Sequence, residues 1–226
     1  MPSKSPDEST KSYHHGDLRR AVLDAVHEII LEKGPDALSL RECARRAGVS
    51  PGAPAYHFGD KQGVLDEFAL EGVENLQGVV RAELERADPD PVSQLCAVGR
   101  AYVRAALEYP AHFRVMARRG TSSLLGEAPE SPTRHAARTH RPVLELLQTV
   151  ITAVDEAEGR TSTALEERAL FAWSTVHGYA LLCLDNSAHP GVAVAGVEEA
   201  LDRAEPLLAR VLSGLREERS DRARPG

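Results

Sequence analysis

The chain is 226 residues long and carries 27 Lys and Arg against 34 Asp and Glu, a formal net charge of −7; 42% of it is hydrophobic but only 4% aromatic. That is ordinary globular composition, enough for one large domain or a small one joined to a medium one. Ala, Leu, Glu and Arg outnumber Ile, Thr, Tyr and Phe, which starves strands and feeds helices, so an all-β fold is excluded and an all-α fold expected.

Residues 1–12 are polar and Ser/Lys/Glu-rich, with nothing to bury, and are expected to form a disordered arm. From Asp17, the apolar residues Leu18, Val22, Ala25, Val26, Ile29 and Ile30 fall at spacings of three and four, one stripe of a helix. Lys33-Gly34-Pro35 ends that helix with a basic last turn, a C-terminal glycine and a blocking proline. Ser39-Leu40-Arg41-Glu42 is a capping box that opens a second helix, with Leu40, Cys43, Ala44 and Ala47 inward and Gly48 as its stop. Ser50 is expected to cap a short third helix with Pro51 at its first position. Asp60 caps a fourth, which carries Val64, Leu65, Phe68, Val73, Leu76 and Val80 towards Asp88-Pro89. Two short helices joined by a tight glycine turn and packed on a longer one form a helix-turn-helix, placed at residues 39–58.

The remainder also has helical spacing. Segments are expected over Pro91–Glu108, from Pro110 through Phe113 and Met116, and over roughly Pro142–Glu158, with a Gly120–Pro132 loop. A second capping box, Thr163-Ala164-Leu165-Glu166, opens an apolar helix to about Leu184. After Asn186–Pro190, Val197, Leu201, Ala204, Leu208, Val211 and Leu215 form a near-heptad seam suited to docking on a neighbouring helix. Pro206 either kinks this last helix or marks its true start. About nine helices result.

Charge is unevenly placed. Residues 1–61 hold nine basic and nine acidic side chains, so the whole −7 lies beyond residue 61. A local DNA contact at the N-terminal end is therefore allowed while the body repels phosphate. Cys43, Cys96 and Cys183 are odd in number, far apart and set among apolar neighbours, as befits buried thiols in a reduced compartment. The N-terminus has no apolar leader pattern, and the longest run without Asp, Glu, Lys or Arg, residues 169–184, is short of the ~18–20 that span a bilayer. A soluble, cytoplasmic protein without a membrane role is expected.

Residues 13–68 resemble the N-terminal DNA-binding domain of the TetR family of transcriptional regulators. The resemblance rests on Leu38-Ser39-Leu40-Arg41-Glu42-Cys43-Ala44-Arg45-Arg46-Ala47-Gly48-Val49-Ser50, on His57-Phe58-Gly59-Asp60-Lys61 and on the preceding Tyr13-His14-His15-Gly16-Asp17-Leu18-Arg19. Trp173-Ser174-Thr175-Val176-His177-Gly178 resembles the W-x-x-x-H-G signature of one class of C-terminal effector domains in that family, and Pro110 and Phe113 agree with it. The resemblance implies a DNA-binding domain at 13–63 and an effector-binding and dimerisation domain at 64–226. It further implies a homodimer through the last two helices that docks recognition helices on a palindromic double-stranded operator, most simply as a repressor released by a small molecule.

The residue chemistry suits that role independently. Pro51, Gly52 and Ala53 give a narrow front for the ~12 Å major groove and for thymine methyls, and Arg41 is the candidate for a bidentate contact to guanine. Tyr56, His57 and Lys61 lie where the family places phosphate contacts, with Ser50 at the helix cap. One departure stands out: the family tyrosine is replaced by Ala55, and Tyr56 is displaced about 100° round the helix, leaving base, phosphate or no contact open to it. Arg45 and Arg46 read as a solvated face from which one side chain reaches a phosphate.

Trp173 and His177 share a helical face, either as core tryptophan and hydrogen-bonded histidine or as a ligand site. Tyr102, Phe113, Met116 and Phe171 are core by spacing and pocket lining by analogy. Gly48-Val49-Ser50-Pro51-Gly52 matches a nucleophile elbow, but that elbow needs an entering strand and here a helix enters. His14 and His15 are adjacent and point apart on a helix, so no metal site is expected, nor a cofactor or an enzyme. The competing class is a helical small-molecule-binding protein or enzyme that keeps a vestigial helix-turn-helix.

Overall fold

The computed structural model describes residues 15–124, 141–161, 163–185 and 193–217. The expected arm at 1–12 and the Asn186–Pro190 connection lie outside them. Among the described residues there are nine α-helices, one short 3-10 helix and no strand: α1 His15–Lys33, the 3-10 turn Pro35–Ala37, α2 Leu40–Ala47, α3 Ala53–Phe58, α4 Lys61–Arg86, α5 Pro91–Glu108, α6 Pro110–Leu124, α7 Arg141–Ala157, α8 Leu165–Leu184 and α9 Val197–Glu217. The chain divides into two compact units, one ending at Val64 and one beginning at Leu65.

In the first unit, Val22, Leu23, Val26, Ile29 and Ile30 of α1 are fully buried, with Cys43 and Ala44 of α2 against them. Gly34, at φ +77°, closes α1 by donating to Ile30 O, and Pro35 then starts the 3-10 turn. Gly48, at φ +67°, ends α2, and the Gly48 and Val49 amides both terminate on Ala44 O. These stops satisfy carbonyls that the helix itself leaves free.

Three local expectations need correction here. Ser39 Oγ accepts from the Glu42 amide at 3.2 Å, but the Glu42 carboxylate turns to Arg45 and Arg46 instead of back to Ser39, so only half the capping box forms. Ser50 does not cap α3: its carbonyl accepts from the Ala53 amide in a turn, and the helix starts at Ala53 behind Gly52. Pro51 and Gly52 therefore belong to the turn, and Pro54 falls in the first helical turn, where its missing N–H costs nothing. Asp60 does cap α4, accepting from the Gly63 amide at 2.8 Å.

In the second unit, α5 is the hub, packed against α6, α7, α8 and α9, and is buried nearly all round from Leu95 to Ala106. Asp90 caps it through the Val92 and Ser93 amides. Gly99 lets α9 approach so closely that an added Cβ would collide with Leu208. The near-heptad seam of α9, including Leu201, Ala204, Leu208, Val211 and Leu215, is buried within the chain, on α5 and α8. Pro206 lies inside a continuous α9, so it does not mark the start of the helix.

α6 extends to Leu124, into the segment expected as a loop from Gly120; the rest of that segment lies outside the described residues. α8 begins behind Ala164, held left-handed at φ +49° with no side-chain cap, so the Thr163 capping box does not form. Its first turn is positioned instead by a tertiary contact, a bidentate Arg168–Asp155 ion pair to α7.

Candidate nucleic-acid interface and effector pocket

The first unit brings most of the expected DNA-facing residues to its surface. Arg41 is exposed in the first turn of α2 and makes no hydrogen bond or ion pair with another described residue. Ser50, Pro51 and Gly52 are exposed in the turn, Ala53 is half-buried, and Tyr56 and His57 are exposed on α3. Tyr56 keeps 84% of its surface, an unusual state for an aromatic ring, and packs edge-on to His57 with ring centres 5.3 Å apart. Pro54, buried on the opposite side, anchors α3 so that residues 55–57 face outward.

Three basic residues have other partners. Lys61 is half-buried and its Nζ donates to Asp36 O at 3.0 Å, tying the start of α4 to the 3-10 turn. Arg46 is not part of a solvated face: its side chain is 13% exposed and its guanidinium bonds Glu32 at 2.6 and 2.8 Å, Glu42 at 3.0 Å and Glu28 at 3.4 Å. It fastens α2 to α1. Arg45 stays exposed but commits two donors to Glu42. The hydrogen bonds from Arg45 and Arg46 push the Glu42 carboxyl down to about 2, and that from Arg46 lowers Glu32. Both carboxylates are thus ionised at any physiological pH, and neither arginine is left as a free phosphate clamp. Sequence spacing could not reveal this, because Glu28 and Glu32 meet Arg46 only once α1 and α2 pack.

In the second unit Trp173 and His177 of the W-x-x-x-H-G string join Tyr102 in a polar cluster in which Trp173 and Tyr102 are buried and His177 half-buried. Trp173 and His177 stack with ring centres 4.8 Å apart, Trp173 Nε1 donates to Tyr102 Oη at 3.3 Å, and Tyr102 Oη lies 2.8 Å from His177 Nδ1. Indole can only donate, so the Tyr102 hydroxyl accepts from Trp173, and it can donate to His177 Nδ1 or accept from it according to the imidazole tautomer. Burial pushes the Tyr102 phenol well above its ordinary value, which keeps the hydroxyl protonated. Phe113 packs on both Tyr102 and His177, with ring centres 5.4 and 5.7 Å apart.

Beside this cluster lies an apolar cavity of about 30 Å³ between α5, α7, α8 and α9. Tyr102 and Trp173 line it, together with Leu95, Gly99, Leu147, Val176, Leu208 and Leu212, none of which spacing alone distinguishes from ordinary core. Phe113 and Met116 are buried but do not line it. Phe171 is corrected outright: it is 45% exposed on the outer face of α8, its ring against Gly214, because a residue two places before Trp173 points about 200° away.

The motif resembling a nucleophile elbow runs from the end of α2 through the turn to Gly52, between two helices, so Ser50 has no strained strand-to-helix bend to expose it. Among the described residues no helix is long and apolar enough to cross a membrane.

Comparison with known proteins agrees with this geometry. Residues 22–68 match the family described as bacterial regulatory proteins, tetR family, and residues 95–219 match the tetracyclin repressor-like C-terminal domain. The HTH-type transcriptional regulator AlkX of Mycobacterium tuberculosis is 35% identical over 68 residues, 30% of this chain and 32% of that protein. The HTH-type transcriptional regulator BetI of Burkholderia cenocepacia is 34% identical over 83 residues, 36% of this chain and 43% of that protein. The chain thus spans less than half the length of these curated relatives. Among solved structures, a protein of unknown function from Rhodococcus sp. RHA1 is 30% identical with a TM-score of 0.67, covering 88% of this chain and 97% of its own. The TetR family transcriptional regulator PfmR from Thermus thermophilus, 21% identical with a TM-score of 0.63, covers 86% of this chain and 95% of its own and shares the fold.

Proposed function

The chain belongs to the TetR family of bacterial regulatory proteins, and from that premise we propose that it is a ligand-responsive, sequence-specific DNA-binding regulator that acts in the cytoplasm as a dimeric repressor. The observation that carries the reading is the exposed edge of the helix-turn-helix. Pro51 and Gly52 offer backbone without bulk, Arg41 is uncommitted, and Tyr56 and His57 stand out beside them. A thin edge flanked by donors is what entry into the major groove requires.

Arg41 is assigned to a base and Tyr56 and His57 to the groove or its phosphates. Lys61 adds positive charge at the α4 terminus while holding Asp36 O. Arg41→Ala is expected to remove about 1–3 kcal/mol of discrimination at one operator base pair. The check is fluorescence anisotropy against the DNA upstream of the protein's own gene, with single-base operator variants. Sub-micromolar, sequence-selective binding supports the reading; binding that any competitor DNA abolishes supports the vestigial alternative, and unchanged base preference in Arg41→Ala overturns the assignment of Arg41 to a base.

The dimer is assigned to α8. Its buried side packs on α5 and α7, yet Leu170, Phe171, Leu181 and Leu182 remain 38–45% exposed along one outer stripe. A second copy of the same stripe, with α9 alongside, would complete a four-helix bundle. Leu181→Arg is expected to yield a monomer in sedimentation equilibrium and to weaken operator binding. A fully dimeric variant would move the interface elsewhere.

The effector is assigned to the cavity beside Tyr102 and Trp173. As it stands the space is no larger than about one water's share of liquid volume, so an apolar ligand would have to part α9 from α5 at the Gly99–Leu208 contact.

A further inference from the structure

We propose that the cleft between α4 and α5 is a second ligand site, taking a small amphiphile whose single carboxylate or phosphate group replaces two glutamates of α9 on Arg100 and Arg104. The cleft is an open groove of about 940 Å³, within the range of small-molecule sites. It is separate from the apolar cavity assigned to the effector above, although Cys96 touches both.

Its inner layer is fixed. Glu83 is 8% exposed and is held by Arg104 Nε at 2.8 Å, with Arg86 Nη1 at 3.7 Å and Arg100 Nε at 4.0 Å. Glu83 alone does not balance the three guanidinium groups around it, although Glu74, Asp88 and Glu108 also lie on the wall of the cleft. An outer layer pairs with their outer edges: Glu205 on Arg100 Nη1 at 2.9 Å, and Glu198 at 2.9 Å and Glu108 at 3.4 Å on Arg104 Nη1. The Glu198 and Glu205 side chains are 73% and 66% exposed, whereas Arg104 and Arg100 are 20% and 26% exposed.

The two layers differ in energy. A pair with one solvent-exposed partner adds little net stability, because water screens it and a long side chain is immobilised to make it. The pairs to Glu83 cannot be released without stranding a buried charge. Arg104 is therefore held from inside by a hydrogen bond and Arg100 by the longer contact to Glu83, while their Nη edges are occupied by partners that leave cheaply. A guanidinium edge matches a carboxylate or phosphate in a bidentate pair. Val79, Ala82, Ala97 and Tyr109 supply apolar wall for the body of the ligand. Glu74 and Asp88, also on the wall, reject polyanions and restrict the ligand to one acidic group.

The test is isothermal titration of the full chain with decanoate and decyl phosphate below their micellar concentrations, against decanol and decyltrimethylammonium. At least one of the anions is expected to bind about tenfold more tightly than the alcohol and the cation, and which one does identifies the head group. Arg100→Gln is expected to weaken that binding about fivefold, and Glu198→Gln with Glu205→Gln to tighten it about threefold by removing the competitors. Both glutamates are surface residues, so the double variant decides the matter even if Arg100→Gln folds poorly. Equal binding of the alcohol or the cation, or an unchanged or weakened anion affinity in the double glutamine variant, would overturn the proposal. The readout involves no DNA, so failure here and failure of the operator reading are distinguishable.

Discussion

Asp155→Ala is expected to destabilise the second unit by about 3–5 kcal/mol, the cost of stranding a buried charge. Asp155 is 1% exposed at the C-terminal end of α7 and Arg168 is 5% exposed in the first turn of α8. Their pair is bidentate, Arg168 Nη1 to Oδ2 at 2.5 Å and Nη2 to Oδ1 at 3.0 Å, and Nη2 also donates to Leu215 O of α9 at 3.0 Å. Arg160 adds a third helix-end contact, with Nη2 2.8 Å from Asp155 Oδ1. One carboxylate thus gathers α7, α8 and α9 at the same level. Removing it leaves Arg168 enclosed with only a carbonyl partner. Urea denaturation checks this: the midpoint falls and the slope is unchanged. Replacing both partners by apolar residues, Asp155→Leu with Arg168→Met, is expected to recover most of the loss, because it strands no charge. A shift below about 1 kcal/mol for Asp155→Ala would mean that apolar packing, not this pair, holds the three helix ends together.

Gly63→Ala is expected to cost the upper end of the ~1–3 kcal/mol range for overpacking and to abolish operator binding. A Cβ at Gly63 would fall within the Phe58 carbonyl oxygen, and the obstacle is backbone, which cannot rotate away as a side-chain tip can. That carbonyl already accepts from the Asp60 amide at 3.1 Å in the tight turn from α3 to α4. Gly59 in the same turn sits at φ +81°, so there is little slack. The displaced element is α3, which carries Tyr56 and His57. Trp173 is the only tryptophan in the chain and belongs to the second unit, so its emission monitors that unit separately. The expected result is lost operator binding with unchanged Trp173 emission. Gly78→Ala in α4, where an added Cβ meets nothing within 4 Å, is the matched control and is expected to be neutral or slightly stabilising. Native operator affinity in Gly63→Ala would show that the turn has room to relax.

The contrast between these two sites bears on what spacing and composition could reveal. Gly34, Gly48 and Asp60 act on backbone groups within five residues of themselves, so the ends of α1 and α2 and the start of α4 are legible in the order of residues itself. The W-x-x-x-H pair is legible as one face of a helix. What it touches is not: Tyr102 lies more than 70 residues away and reaches Trp173 and His177 only through α5 packing on α8. The same holds for Arg46, which spacing places on a solvated face and packing buries between Glu28, Glu32 and Glu42.

Caps mislead where a stronger tertiary term competes. Thr163-Ala164-Leu165-Glu166 has the residues of a capping box, worth about 1 kcal/mol, yet α8 starts one residue later, where Arg168 meets Asp155. Phe171 joins the pocket only by analogy, whereas the face it occupies follows from Trp173 pointing inward.

Sequence alone therefore determined the helical class, most helix ends and the family, because caps, glycine stops and apolar spacing act over one or two turns of chain. Tertiary structure decided which arginines stay uncommitted, where the cavities lie and which stripe of α8 is left uncovered. Each of these depends on groups far apart in the chain coming within a few ångströms, where burial strengthens a charge pair or strands it.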